Sequence, residues 1–238
     1  MTIQVGMVGT DGILIAGDTR WTASPMLVNR NWAAGRYGYN SSKIKLNHER
    51  GMAVSCAMDM GTAGHVASDI ISGLREEDFE YPVGAIEEIA TKVPTPIGKP
   101  RKEAHCLIAL TRPVLQLFLF QFATVNEEWG PLCQPLETIG IAGDNVNAAI
   151  FWAERYYQKL PVERLVPLAA HLVVCAHKLN TGTIGGLEIV LGTASGIHRL
   201  SDESIRELET KADEWDSSIG NLFLNHRQQF TYAPNVVG

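Results

Sequence analysis

Thr2, Asp18 and Lys43 are the residues whose types and spacing could together make a nucleophile. Thr2 directly follows Met1, and a small second residue generally permits removal of an initiator methionine. Thr2 would then carry a hydroxyl and a free α-amine on one residue. An unperturbed α-amine titrates at about 7.7–8.0, so it can take a proton from the weakly nucleophilic hydroxyl near neutral pH. A threonine at a strand start is equally an ordinary β-former, and position by itself leaves both readings open. Asp18 ends one strand of an expected hairpin and Lys43 opens the alternating run KIKL. A hairpin can place Asp18 near Thr2, and an adjacent strand can bring Lys43 beside both. A buried ammonium there would lower the pKa of the hydroxyl and of the amine. Asp18 would hold it charged, since an unpaired buried ammonium costs several kcal/mol. The plain alternative is a surface ion pair of ~0–1 kcal/mol, which the spacing does not separate from the first.

The elements that must position these residues follow from pattern. Residues 2–10 alternate loosely, Asp11-Gly12 is a hairpin turn signal, and ILIAG (13–17) is the returning strand. Further strands are expected at 26–29, 43–46 and 52–57, with a Gly- and aromatic-rich loop over 32–42. Gly61 opens a helical pattern with Val66, Ile70, Ile71 and Leu74 on one face, and a second helix spans 83–93. The stretch 94–102, with three prolines, reads as an exposed loop. Strands at 106–110 and 114–125, a turn at 127–130 and a short strand over 136–142 follow. Val146 to Leu160 makes a third helix. After a Pro161 start comes a fourth, with Leu165, Leu168, Leu172, Cys175 and Leu179 on its face. Strands at 187–192 and 197–200 precede a carboxy-terminal amphipathic helix over about 201–224, with Ser201 as N-cap. Strands and helices come in groups, which favours two packed sheets covered by helices over an alternating parallel sheet. With no repeat and no linker, residues 1–238 read as one domain.

Composition excludes several classes. A formal net charge of −6 argues against nucleic-acid binding. No run reaches the ~18 apolar residues of a membrane helix, and the amino terminus lacks a signal-peptide pattern. The cytoplasm is the expected location. Cys56, Cys106, Cys133 and Cys175 form no C-x-x-C pair. His171 and His177, six apart, do not share a helix face, and His105 and Cys106 point to opposite faces of a strand. No metal site or cofactor is expected.

The opening TIQVGMVGTDGILIAGDTRWT resembles the start of a mature proteasome β-subunit. SSKIKL is similar to the segment carrying that family's catalytic lysine, and SCAMDMGTAGHVASDI to the Gly-rich turn entering its first helix. IGIAGDNVNAAIFWAE and LNTGTIGGLEIVLG stand where two later motifs fall. The resemblance runs from Thr2 to about Leu191 and is sharpest over its first part. Among bacterial relatives it is nearer to stand-alone proteasome homologues, Anbu-like or betaproteobacterial, than to the ATPase-linked HslV protease.

The resemblance implies a mixed α/β (α+β) four-layer α/β/β/α sandwich, the N-terminal-nucleophile (Ntn) hydrolase fold, and a threonine-type endopeptidase acting on unfolded polypeptide. Thr2 would be the nucleophile, Asp18 the carboxylate and Lys43 the lysine. The Arg20 carbonyl would orient Lys43, and the Thr22 backbone would pair with an extended substrate, with Trp21 and Met58 near the first pocket. The oxyanion donor belongs in the MDMG turn, at Met60 or, preferably, Gly61, since a close approach to substrate favours glycine. The family's G-S-G-S motif appears as Gly143-Asp144-Asn145. Its Asp-x-x-Ser-Gly motif appears as Asn180 to Ile184, with Thr183 at the serine. Asp144 facing the site would restore the charge lost at Asn180. About nine extra residues lie between Arg20 and Lys43, where the family builds its substrate pocket, so specificity does not transfer. A homo-oligomeric double ring is implied, seven subunits per ring ahead of six, with any unfoldase ATPase or adaptor on a separate chain. Two other readings stand beside the peptidase: a catalytically silent structural ring subunit, and an Ntn amidase acting on small amides.

Overall fold

The computed structural model describes residues 2–22, 27–28, 31–32, 38–93, 103–125, 128–143, 149–180 and 183–224. β1 (Ile3–Val8) and β2 (Gly12–Gly17) form the expected hairpin at the centre of a five-stranded antiparallel sheet. β13 (Ile139–Gly143) flanks β1, while β14 (Glu188–Thr193) and then β15 (Gly196–Arg199) extend the sheet beyond β2. The second sheet runs β12 (Glu128–Leu136), β11 (Gln116–Val125), β10 (Ala104–Leu110), β8 (Met52–Ser55), β7 (Ile44–Asn47), with β9 (Ala57–Met58) also on β10. Two small ribbons complete the strands: β3 (Arg20–Thr22) with β6 (Gly38–Asn40), and β4 (Leu27–Val28) with β5 (Asn31–Trp32).

Three apolar layers account for the stacking. Along β2, Leu14 and Ala16 pack outward with Ile3, Val5 and Met7 against helical residues, whereas Ile13 and Ile15 turn inward to meet Leu107, Leu117 and Leu119 of the other sheet. On the second sheet Met52, Val54, Cys106, Ile108, Phe118 and Phe120 face a separate helical layer. Period-two alternation thus feeds two apolar faces per strand, which is why these strands read as continuous hydrophobic runs. α1 (Met60–Gly73) and α2 (Pro82–Thr91) cover the second sheet. α3 (Ala149–Tyr156), α4 (Val162–Leu179) and α5 (Asp202–Leu224) lie on the outer side of the first. The order is helix, sheet, sheet, helix. Val66 and Ile70 of α1 and its C-cap Leu74 are fully buried, each stabilising by about 1.5–3 kcal/mol. Among the described residues no helix is long and apolar enough to cross a membrane.

The structure corrects the sequence reading in four places. Residues 128–136, expected to turn and then begin a short strand, are the long strand β12. Pro131 and Pro135 argue against a central strand, but β12 is an edge, where missing N–H donors are tolerated. Within the expected loop 32–42, residues 38–40 are β6, ordered by pairing with β3. The third helix stops at Tyr156 instead of Leu160, and the backbone of Leu160 instead receives the Thr10 N–H. The buried face of α4 is also rotated. Val166, Ala169, Ala170, Val173 and Ala176 join Leu165 and Leu172, while Leu179 is exposed. The small residues let α4 approach the sheet closely, so they occupy the arc that leucines were expected to fill. Ser201 caps α5 as expected, its Oγ accepting from Ser204 N at 3.2 Å. The stretch 94–102 lies outside the described residues, as do Asp144 and Asn145.

Candidate active site

Thr2, Asp18 and Lys43 meet at one end of the interface between the two sheets. Thr2 immediately precedes β1, Asp18 follows β2 and Lys43 precedes β7, so the hairpin supplies two of the residues and the facing sheet the third. All three are buried, at 4%, 0% and 1% exposure. Lys43 Nζ donates to Asp18 Oδ2 at 2.8 Å and to Thr2 Oγ1 at 3.1 Å. Its third direction is covered by the Trp21 ring, 4.9 Å from Nζ to the ring centre. An ammonium has three donors and no acceptor, and these three partners use the group completely.

Asp18 is held from the other side. Its Oδ1 accepts the Ile3 N–H at 3.0 Å, while its own N–H donates to Ile3 O at 3.1 Å. Burial pushes the Asp18 carboxyl above its usual range. The Lys43 ammonium and the Ile3 and Arg20 N–H groups oppose that push. Burial likewise lowers Lys43, against the pull of Asp18 and Glu188. A buried cation within hydrogen-bond reach of a hydroxyl favours the alkoxide form. The arrangement can therefore activate Thr2 Oγ1 as a nucleophile.

Glycine closes the wall beside Thr2. Gly143 pairs with Ile3 and has φ of +110°, and a Cβ on it would lie 2.1 Å from the Thr2 carbonyl oxygen. The same Cβ would sit 3.6 Å from Ala57, so β9 lies just across. The Gly143 N–H donates to His105 Nδ1 at 3.2 Å, which fixes that ring as neutral at Nδ1. From β9 the chain turns through Met58, a non-glycine residue at φ of +77°. Such a conformation costs on the order of 1–3 kcal/mol and concentrates at functional sites. It delivers Asp59 as the N-cap of α1, its Oδ1 accepting from Thr62 N at 3.0 Å. Residues 60 and 61 are then the first two helical positions, whose N–H groups have no helical acceptor and favour negative charge.

The remaining expected site residues are placed differently. Trp21 roofs Lys43 and packs against the core under α1, as well as flanking the Thr22 backbone in β3. The Arg20 backbone N–H faces Asp18, and among the described residues no hydrogen bond joins Lys43 to the Arg20 carbonyl. Asn180 and Thr183 are brought to each other. Asn180 Nδ2 donates to Ala176 O at 3.2 Å, and Thr183 Oγ1 donates to Asn180 O at 3.1 Å. Among the described residues neither bonds to Thr2, Asp18 or Lys43, and three His, Cys, Asp or Glu side chains nowhere gather as a metal site.

Sequence reasoning missed Glu188. Only 4% exposed, it accepts the Lys43 N–H at 2.6 Å, the Ile44 N–H at 3.2 Å and the Ser42 hydroxyl at 2.8 Å, and pairs with Arg199. The available signal was a charge inside the apolar strand LEIVLG, since such a residue requires a partner.

No protein-family model and no curated protein matches the sequence. Solved structures share the fold. Anbu (ancestral beta-subunit) from Yersinia bercovieri superposes with a TM-score of 0.69 at 11% identity, covering 96% of this chain and all (100%) of that one. The Gly-1 mutant of Anbu from Hyphomicrobium sp. strain MC1 gives 0.64 at 15% identity, covering 98% of this chain and 100% of that one. A helical assembly of the Anbu complex from Pseudomonas aeruginosa gives 0.69 at 11% identity, with 96% and 98% covered. The chain has the fold of these proteins over nearly its whole length.

Proposed function

We propose that the protein is a proteasome-like N-terminal threonine peptidase and a subunit of a homo-oligomer that encloses its sites. The observation that carries this reading is the buried contact of Lys43 Nζ with both Thr2 Oγ1 and Asp18 Oδ2. A surface ion pair would need neither the burial nor the hydroxyl. After removal of Met1, the Thr2 α-amine serves as base and Thr2 Oγ1 attacks the peptide carbonyl. The Oγ–carbonyl bond forms, the proton passes through the amine to the leaving nitrogen, and the C–N bond breaks to leave an acyl-enzyme that water hydrolyses. N–H groups at the start of α1 stabilise the oxyanion. An extended substrate adds as a strand along Thr22 and the 58–61 turn.

Assembly is proposed by head-to-tail contacts, which close into rings or continue as helices. The likeness to a protein solved as a helical assembly supports such contacts. The decisive test is labelling with a peptide epoxyketone, which reacts with both functions of an amino-terminal threonine, read by intact mass with Thr2→Ala as control. A single adduct on protein lacking Met1, absent from the variant, is expected. No adduct on processed protein overturns the reading. The Asn180 side chain, engaged with its own helix rather than with Thr2, favours a silent structural subunit as the second reading; failure to label with retention of a large assembly selects it.

A further inference from the structure

Glu188 and Arg199 bridge the margins of the two sheets. Glu188 opens β14 and Arg199 closes β15, which is the outer strand of the first sheet, whereas β7 is the outer strand of the second. Glu188 Oε1 takes the Lys43 and Ile44 N–H groups, and Oε2 takes the Ser42 hydroxyl and Arg199 Nη1. Arg199 also donates to Ser42 Oγ at 2.9 Å and to Ile44 O at 2.7 Å. The backbone at Ser42–Ile44 is thus gripped on both its N–H and C=O sides by side chains from the opposite sheet. We propose that Glu188, braced by Arg199, is a positioning residue for Lys43. It fixes where the lysine leaves the backbone, and its charge favours the ammonium facing Thr2. The inference rests on the proposed reaction at Thr2.

The electrostatics agree with the geometry. Lys43 faces Asp18 and Thr2 and the Trp21 ring, with the Glu188 charge also acting on it and the protonated Cys56 thiol nearby. Glu188 faces Arg199, Ser42 and the Lys43 and Ile44 amides. Lys45, the cation within β7, is turned away to Gly64 O and Ser68 on α1. Asp18 thus sets the head of the lysine and Glu188 its root.

The test uses the full-length processed protein and its Glu188→Gln, Glu188→Asp and Arg199→Met variants, with two readouts. One is the epoxyketone labelling rate across pH. The other is titration of Lys43 by NMR in protein carrying 13C at lysine Cε, assigned with Lys43→Met. Glu188→Gln is expected to slow labelling on the order of 10²-fold through misplacement of Lys43. It should also move the Lys43 titration to lower pH, because an anion favouring the ammonium is gone. Glu188→Asp keeps the charge but falls short of both amides, so it slows labelling with the titration near that of the parent. Should Glu188→Gln fail to fold, Arg199→Met leaves the anion unbraced and is expected to move the Lys43 titration to higher pH. A Lys43 titration unmoved in the folded variants, with only a lowered unfolding midpoint, overturns the inference and makes Glu188 purely structural. Absence of labelling in the parent protein instead defeats the peptidase reading, and the NMR titration still decides the role of Glu188.

Discussion

Asp18 and Lys43 form an ion pair of 2.8 Å in which both side chains are wholly buried. Its partners are unequal in their reserves. Asp18 keeps the Ile3 N–H if the lysine is removed, whereas Lys43 without Asp18 keeps only Thr2 Oγ1 and an aromatic face. Each single substitution, Lys43→Met or Asp18→Asn, should destabilise by about 3–5 kcal/mol by stranding the other group. The double variant should cost less than the sum of the two, since it strands no charge. Urea unfolding of the three variants and the parent checks this. Simple additivity would mean the pair is not coupled in the folded protein.

Gly143→Ala puts a methyl group into the Thr2 carbonyl and a side chain at φ of +110°. A loss of more than about 3 kcal/mol is expected, since strain and a backbone clash add. Gly64→Ala is the matched opposite. A Cβ at Gly64 has no neighbour within 4 Å, and the position is interior to α1. That substitution should stabilise by about 0.5–1 kcal/mol. Thermal melts of both variants against the parent measure the contrast.

Burial lowers the His105 pKa from its ordinary value near 6.5, with Glu103 opposing. A lowered histidine binds fewer protons folded than unfolded. Its contribution is therefore complete above about 6.5 and is lost as pH falls through the folded value. Protonation of Nδ1 also removes the acceptor for the Gly143 N–H. The urea midpoint should fall between pH 7.5 and 5.5, and His105→Asn should flatten part of that slope. An unchanged slope in the variant would assign the acid sensitivity to other groups.

All four cysteines should resist alkylation at neutral pH. Burial pushes the Cys56 and Cys175 thiols up to about 11 and Cys133 to about 12, and it raises Cys106 well above its ordinary value. The thiolate is the reactive form. Iodoacetamide at pH 7 should leave the folded protein unmodified and react at four sites in urea, read by intact mass. Electrophiles that label the folded protein then report on Thr2.

Much of this arrangement is legible in the sequence because it is local. The Asp11-Gly12 turn fixes the register of β1 and β2, and that register carries Asp18 back to Ile3. Lys43 is identifiable as the residue before an alternating strand. What escapes is non-local. Glu188 lies 145 residues from Lys43, and only strand order brings them together. β12 escapes because its prolines carry meaning only once it is known to be an edge. The small buried face of α4 escapes for a similar reason, since alanines show no preference for a face until a sheet is packed against them.

The ribbon of β3 and β6 separates two kinds of change. Trp21 lies opposite Tyr39, and Arg20 opposite Asn40, so the chain leaves after Thr22 and returns at Gly38 across a paired base. The two ends of the intervening segment are therefore held together by that base. Doubling such an insert adds only about 0.6 kcal/mol of closure entropy. The segment can lengthen, shorten or be exchanged while Asp18 and Lys43 keep their separation. A change of length or sequence in that segment therefore leaves the contact of Lys43 with Asp18 in place.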